Sequence, residues 1–167
     1  MPDRITAFEP VRRPDARILI LGSMPSAASL QEGFYYGHPR NAFWRIIAEV
    51  YGAPLPETIP EKRRLLTDNG LALWDALHSC EREGSLDSAI REPELNDFEG
   101  LFDECPNIRA VLFNGDTARR LFMRSGARFL EGRAWRLMPS TSPAYTLPYE
   151  RKLALWRQAL VTRYESL

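Results

Sequence analysis

Residues 18–44 read ILILGSMPSAASLQEGFYYGHPRNAFW. The stretch opens on an unbroken apolar run, turns at Gly22-Ser23-Met24-Pro25-Ser26 and ends by entering an amphipathic segment. A short continuous apolar run that stops at a turn is the pattern of a strand covered on both faces of a parallel sheet. Working outward, Arg17–Leu21 is the first such strand. Leu71–Trp74 (LALW), Ala110–Phe113 (AVLF) and Trp135–Met138 (WRLM) follow it, the last interrupted by Arg136.

Helical patterns lie between these runs. Asn41–Tyr51 places Phe43, Ile46, Ile47 and Val50 on one stripe and stops at Gly52. Pro60–Asp68 has a charged face before Leu65 and Leu66. Asn96 is a candidate N-cap for Asp97–Cys105, which Pro106 closes. Thr117–Ser125 follows the third strand. Thr146 is a candidate cap for a last helix with Pro148 in its first turn and Leu153, Trp156, Leu160 and Tyr164 on its apolar side. Strands alternating with helices predict an α/β layered fold. The length fits one domain over 1–167, with an extended segment over 1–15. Glu81–Glu94 has no clear periodicity and reads as an excursion around the sheet.

Composition narrows the classes. The chain is 44% hydrophobic, enough for a substantial core, yet it has no apolar run of the ~18 residues that a membrane span needs. Met1–Arg17 is polar and charged, unlike a signal peptide. These features point to a soluble, cytoplasmic protein. Cys80 and Cys105 lack metal or redox spacing and read as reduced thiols. Net charge is zero, which argues against a generic nucleic-acid coat protein. The charge is nonetheless uneven: nine acids against two arginines over 81–104, and six arginines against one acid over 117–136. Either one face meets phosphate, or both segments are ordinary solvated surface.

In a parallel α/β sheet, ligands bind beyond the carboxyl ends of the strands. Here those ends run into Gly22–Ser26, Asp75, Asn114-Gly115-Asp116 and Pro139–Pro143. Four polar turns on one rim define a candidate site. Gly33–Trp44 adds aromatics, a histidine and an amide just before a helix, which suits a flat heterocycle. Helical spacing sends Phe43 and Trp44 into the core. Tyr36, His38 and Asn41 remain open between pocket, core and helix-capping roles. The first turn is neither a G-x-S-x-G nucleophile elbow nor a phosphate-binding loop with its lysine. Two histidines, His38 and His78, make a poor metal signal, so no metal and no cofactor is expected. Ser23 with His38 lacks an evident acidic partner for nucleophilic catalysis.

Residues 18–44, with GLALWD (70–75), VLFNGDTA (111–118) and MPSTSPA (138–144), resemble the uracil-DNA glycosylase superfamily over about residues 16–160. The H-P-x-N-x-F-W element is most similar to its hypoxanthine-DNA glycosylase branch, and next to its mismatch-specific branch. The resemblance implies a three-layer α/β/α sandwich with a central, mainly parallel four-stranded sheet. It also implies a monofunctional, cofactor-free glycosylase that flips out and excises a deaminated base from double-stranded DNA, hypoxanthine first and uracil second. Met24 and Met138 depart from it, standing where other branches carry polar catalysts.

By that match Asn41 is the catalytic residue, orienting water or bonding the departing base. Gly22, Ser23, Met24 and Pro25 border the base, with Tyr36 stacking on it and His38 and Asn114 nearby. Arg40, Ser140, Thr141, Ser142 and Tyr145 are the DNA contacts, with the 139–145 loop pressing into the duplex. A lyase activity needs an amine for a Schiff base. The only lysines, Lys62 and Lys152, sit in exposed-looking charged stretches away from the rim. A monomer is the expectation for a compact enzyme on long duplexes. Two other readings stay open: a nucleoside or nucleotide hydrolase with the same pocket, and a non-catalytic module that binds damaged DNA.

Overall fold

The four apolar runs do pair. In the computed structural model, which describes residues 4–165, β2 (Ile18–Gly22), β3 (Leu71–Asp75), β6 (Ala110–Asn114) and β7 (Ala134–Met138) form one sheet in the order β3-β2-β6-β7. All three pairings are parallel. Every residue of β2 and β3 is buried, as the continuous apolar runs demand of strands with both faces covered. Strand β7 is an edge strand; Trp135 and Leu137 are its exposed positions, and the half-buried Arg136 lies over the Tyr164 ring, 5.4 Å from its centroid. Register brings Gly22 opposite Asp75 and Asn114 opposite Met138, so the four carboxyl ends share one rim.

Helices cover the sheet in two groups. Helices α2 (Phe43–Tyr51), α3 (Ile59–Thr67) and α6 (Tyr149–Val161) pack together. Phe43 meets Trp156 edge-on across the α2–α6 contact, with ring centroids 6.3 Å apart. Helices α4 (Phe98–Glu104) and α5 (Asp116–Met123) form the other group, joined through Phe98 and Phe122, which also touch Trp74 and Phe113 of the sheet. The short α1 (Ala27–Glu32) follows the first rim turn and is capped by Ser26, whose hydroxyl accepts the Ser29 N–H.

Three local expectations are corrected. The segment around 81–94 is not a bare excursion: β4 (Leu77–Glu81) and β5 (Arg91–Leu95) pair antiparallel, and β1 (Arg4–Thr6) adds to β4, giving a second sheet in the order β1-β4-β5. Part of the N-terminal 1–15 segment is thus a strand, and Val11 bridges to Leu73 of the main sheet; residues 1–3 lie outside the described residues. Asp97, not Asn96, caps α4. The Asn96 amide is buried and donates instead to the carbonyls of Asp75 and Leu77, pinning the junction of β3 and β4. The last helix starts at Tyr149, with Pro148 at its cap position and no side-chain cap from Thr146.

Candidate active site

A cavity of about 650 Å³ opens at the carboxyl rim of the main sheet. All the residues singled out from sequence line it: Gly22–Pro25, Tyr36, His38, Arg40, Asn41, Asn114, Ser140–Ser142 and Tyr145. They come from four chain segments that only the parallel register brings together.

The aromatic segment is shaped by its own packing. Phe34 and Tyr35 are buried; Tyr35 donates its hydroxyl to the Glu9 carbonyl, and the Trp44 indole donates to the Tyr35 carbonyl. Tyr36 lies between core and cavity. Phe43 is stacked against its ring at 4.2 Å with planes at 30°. The backbone of Tyr36 is left-handed, φ 54°, which is uncommon for a residue with a side chain and tends to persist where surroundings impose it. Its hydroxyl is buried and has no hydrogen-bond partner among the described residues. Burial, and then the Asp75 charge, push its pKa upward, so the phenol stays neutral.

Asn41 sits where the aromatic segment enters α2. Its Oδ1 accepts the Phe43 N–H at 3.0 Å, an Asx turn that starts the helix. The residue is only partly buried and lines the cavity. Ala42, not Asn41, stands at the cap position of α2, which has no side-chain cap; the Asn41 amide makes the turn before it and also reaches the cavity wall. His38 Nδ1 accepts the Arg40 N–H at 3.1 Å, which orders the turn ahead of Asn41.

The 139–145 loop is locked from below. Asn114 Nδ2 donates to Thr141 Oγ1 and the Thr141 N–H donates to Asn114 Oδ1, both at 3.0 Å. The Thr141 carbonyl accepts the Ala42 N–H, which ties this loop to the start of α2. Thr141 is 1% exposed, so its side chain is a lock and not a phosphate contact. That use of Asn114 also occupies both ends of its amide. Ser140, Ser142 and the half-exposed Tyr145 are left at the surface of the loop. Lys152 is a second correction. It is buried, and its ammonium donates to the Ser142 carbonyl at 3.0 Å. It supports the loop from beneath and is not among the residues lining the cavity.

Sequence reasoning puts Asp75 on the rim but gives it no role. The carboxylate closes β3, is 3% exposed and lines the cavity. Its Oδ2 has no hydrogen-bond partner among the described residues. Burial, reinforced by the charge of Asp87, raises its pKa to about 7, against the pull of Arg82. An acid ending an otherwise apolar buried strand was the available signal. Gly22 lets this arrangement exist, since a methyl group there would come within 2.6 Å of Asp75 Oδ1 and 2.8 Å of the Tyr36 hydroxyl. Asp87, from the β4–β5 connection, accepts the Ser23 hydroxyl at 2.8 Å. Nothing in that unpatterned stretch pointed to it.

The arginine-rich segment does not form one free basic face. Arg119 and Arg120 pair with Asp116, Arg128 approaches Glu99 at 3.8 Å, and Arg133 donates to the carbonyls of Ile108 and Phe129. Arg40 is exposed at the cavity edge.

A slot at the carboxyl rim of a parallel sheet, with a stacked tyrosine, a buried carboxyl group and an amide at its wall, has the shape and chemistry to take a flat polar heterocycle. The family model of the uracil DNA glycosylase superfamily matches residues 10–164. The chain belongs to that superfamily. It is 42% identical over 112 residues to a hypoxanthine DNA glycosylase of Methanosarcina acetivorans, covering 66% of this chain and 71% of that one. It is 43% identical over 110 residues to a hypoxanthine DNA glycosylase of Methanosarcina barkeri, covering 65% and 69%. A solution NMR structure of a Methanosarcina acetivorans protein provisionally named a uracil DNA glycosylase superposes with a TM-score of 0.81. It is 32% identical and covers 95% of this chain and 97% of that one.

Proposed function

We propose that this chain is a monofunctional DNA glycosylase that everts a deaminated base from a duplex and hydrolyses its N-glycosidic bond, with hypoxanthine the favoured base. The observation that carries the reading is the convergence of Tyr36, Asn41 and Asp75 on one rim cavity. The names of the two Methanosarcina relatives support the choice of base.

Cleavage builds positive charge on the sugar and negative charge on the departing base, and it needs a water at the anomeric carbon. Tyr36, backed by Phe43, stacks on the everted base. Asn41 is the catalytic residue. Its Oδ1 is already engaged with the Phe43 N–H, so Nδ2 is the free end. Nδ2 is a donor, and donors stabilise an oxygen on the departing base as negative charge gathers there. Asp75 reads the base edge. A carboxylate facing a developing anion would oppose the reaction, whereas a protonated carboxyl donates to it. The raised pKa supplies that neutral form below about pH 7. The locked 139–145 loop presents Tyr145 to the stack vacated by the base. Eversion costs least at a mispaired base, which favours a deaminated one before any contact forms.

The test uses four duplexes carrying hypoxanthine, uracil, xanthine or a normal base, followed by alkaline cleavage of abasic sites. Strand breaks at hypoxanthine, fewer at uracil and none at the normal base are expected. Turnover of free inosine without duplex cleavage would instead establish a nucleoside hydrolase. Binding of lesion duplexes without cleavage would establish a recognition module.

A further inference from the structure

Leu86 stands at the mouth of the cavity with no part in the site described so far. It is 66% exposed, the most exposed of the large hydrophobic side chains among the described residues. Of those exposed side chains, only Leu86 and Tyr145 line the cavity, and they come from separate loops. The loop that carries Leu86 is held rather than loose. On one side Ser85 Oγ accepts the Ala27 N–H at 2.8 Å, and on the other Asp87 Oδ1 accepts the Ser23 hydroxyl at 2.8 Å. Arg82, buried behind them, donates to the carbonyls of both Gly84 and Pro25. Three side chains thus stitch this loop to the turn that borders the base. A leucine on a loose loop can settle onto neighbouring apolar side chains. Anchors on both sides keep this one in water at the rim.

From this placement we infer that Leu86 is a second wedge, entering the base stack beside the everted nucleotide while Tyr145 enters from the other loop. The inference rests on the glycosylase reading. A duplex that delivers a base into this cavity must bring its neighbouring base pairs against the rim, and the rim's two apolar projections are these. Unstacking is offset when an apolar side chain fills the gap. The local charge selects the stack over the backbone as the contact. Glu83 and Asp87 flank Leu86 and would repel phosphates, while the flat faces of bases carry no net charge.

The experiment compares the full chain with Leu86→Ala and Leu86→Met in single-turnover excision of hypoxanthine from a duplex and from the same strand unpaired. A 2-aminopurine beside the lesion reports eversion by its fluorescence. Leu86→Ala is expected to slow duplex excision by roughly tenfold or more and to lower the fluorescence rise, as loss of a group used only in the strained complex does. Its single-strand rate and thermal midpoint should match the parent, and Leu86→Met should restore the duplex rate. Equal duplex rates for Leu86→Ala and the parent would overturn the wedge alone. An equal loss on both substrates would also overturn it, since that marks a distorted pocket. A parent chain that excises nothing would overturn the glycosylase reading and the wedge together.

Discussion

Asn41 Oδ1 accepts the backbone N–H of Phe43 at 3.0 Å, so the residue proposed as the catalyst also forms the turn that leads into α2. The two jobs use opposite ends of one amide and can be separated. Asn41→Ala removes both ends. A cost of about 1 kcal/mol in stability is expected from the lost Asx-turn hydrogen bond, and a fall of about 10²–10³ in excision from the lost donor. Asn41→Asp keeps an acceptor for Phe43 and loses the donor. It should retain parental stability while excising as poorly as the alanine variant. Urea unfolding with single-turnover rates checks both; an aspartate variant with full activity would move the catalytic role elsewhere.

Asp75 makes stability depend on pH in an unusual direction. Its pKa is raised to about 7 in the folded chain, whereas an unfolded aspartate ionises near about 4. Between those values the folded chain holds a proton that the unfolded chain has released. Stability from this group is therefore intact below about pH 4, falls as pH rises toward 7 and stays flat above. Asp75→Asn has the same shape and no proton to lose. The variant should be more stable than the parent at pH 8, and the gap should close by pH 4. Excision by the parent should decline through about pH 7, and that step should vanish in the variant. Denaturant titrations across pH decide the first point; a gap that does not vary with pH would contradict it.

Gly22 has no room for a side chain. A methyl group there would press on Asp75 Oδ1 at 2.6 Å and on the Tyr36 hydroxyl at 2.8 Å. Both neighbours are buried, so the strain falls on the two groups that shape the base pocket. Gly22→Ala is expected to cost about 1–3 kcal/mol, as overpacked cores do, and to lose excision more severely than the stability loss explains. Thermal midpoints and excision rates measured below the transition test this. Unchanged excision would mean that Tyr36 and Asp75 can shift without consequence.

The rim was legible because parallel strands announce themselves as unbroken apolar runs and their carboxyl ends as the turns that follow. Gly22–Pro25, Asn114 and Ser140–Tyr145 were found in that way, and they do share one cavity. The second sheet was not legible. Strand β5 reads REPEL and is almost wholly exposed, so no apolar alternation marks it. The three strands are tied instead by polar contacts across the sheet: Arg4 of β1 donates to Ser79 of β4, and Ser79 donates to Glu94 of β5. Asp87 and Leu86 escaped notice for the same reason. Lys152 sits in a charged stretch that looks exposed, yet it is buried, and its spacing carries the reason. It lies four residues before Trp156 and seven before Ala159, on the buried stripe of α6. Asn114 is a candidate base contact from sequence, and only the three-dimensional meeting with Thr141 shows that its amide also holds the neighbouring loop.

The buried ammonium of Lys152 changes the case for monofunctional chemistry without reversing it. An amine attacks an aldehyde only when deprotonated and in reach of it. Desolvation lowers the Lys152 pKa, which on its own favours a nucleophile. Geometry opposes it: the nitrogen is bound to the Ser142 carbonyl at 3.0 Å and lies beneath the loop, not on the cavity wall. Lys62 approaches the Trp44 ring at 5.4 Å and likewise does not line the cavity. Borohydride added during turnover should therefore trap no covalent DNA adduct. Lys152→Met keeps the stem and drops the ammonium, leaving the Ser142 carbonyl without its donor. The loop that carries Tyr145 should loosen, so duplex excision should fall by about tenfold while excision from a single strand, which needs no wedge, changes little. A borohydride-stable adduct in the parent that disappears in Lys152→Met would show that the lysine reaches the sugar, and the monofunctional assignment would fall.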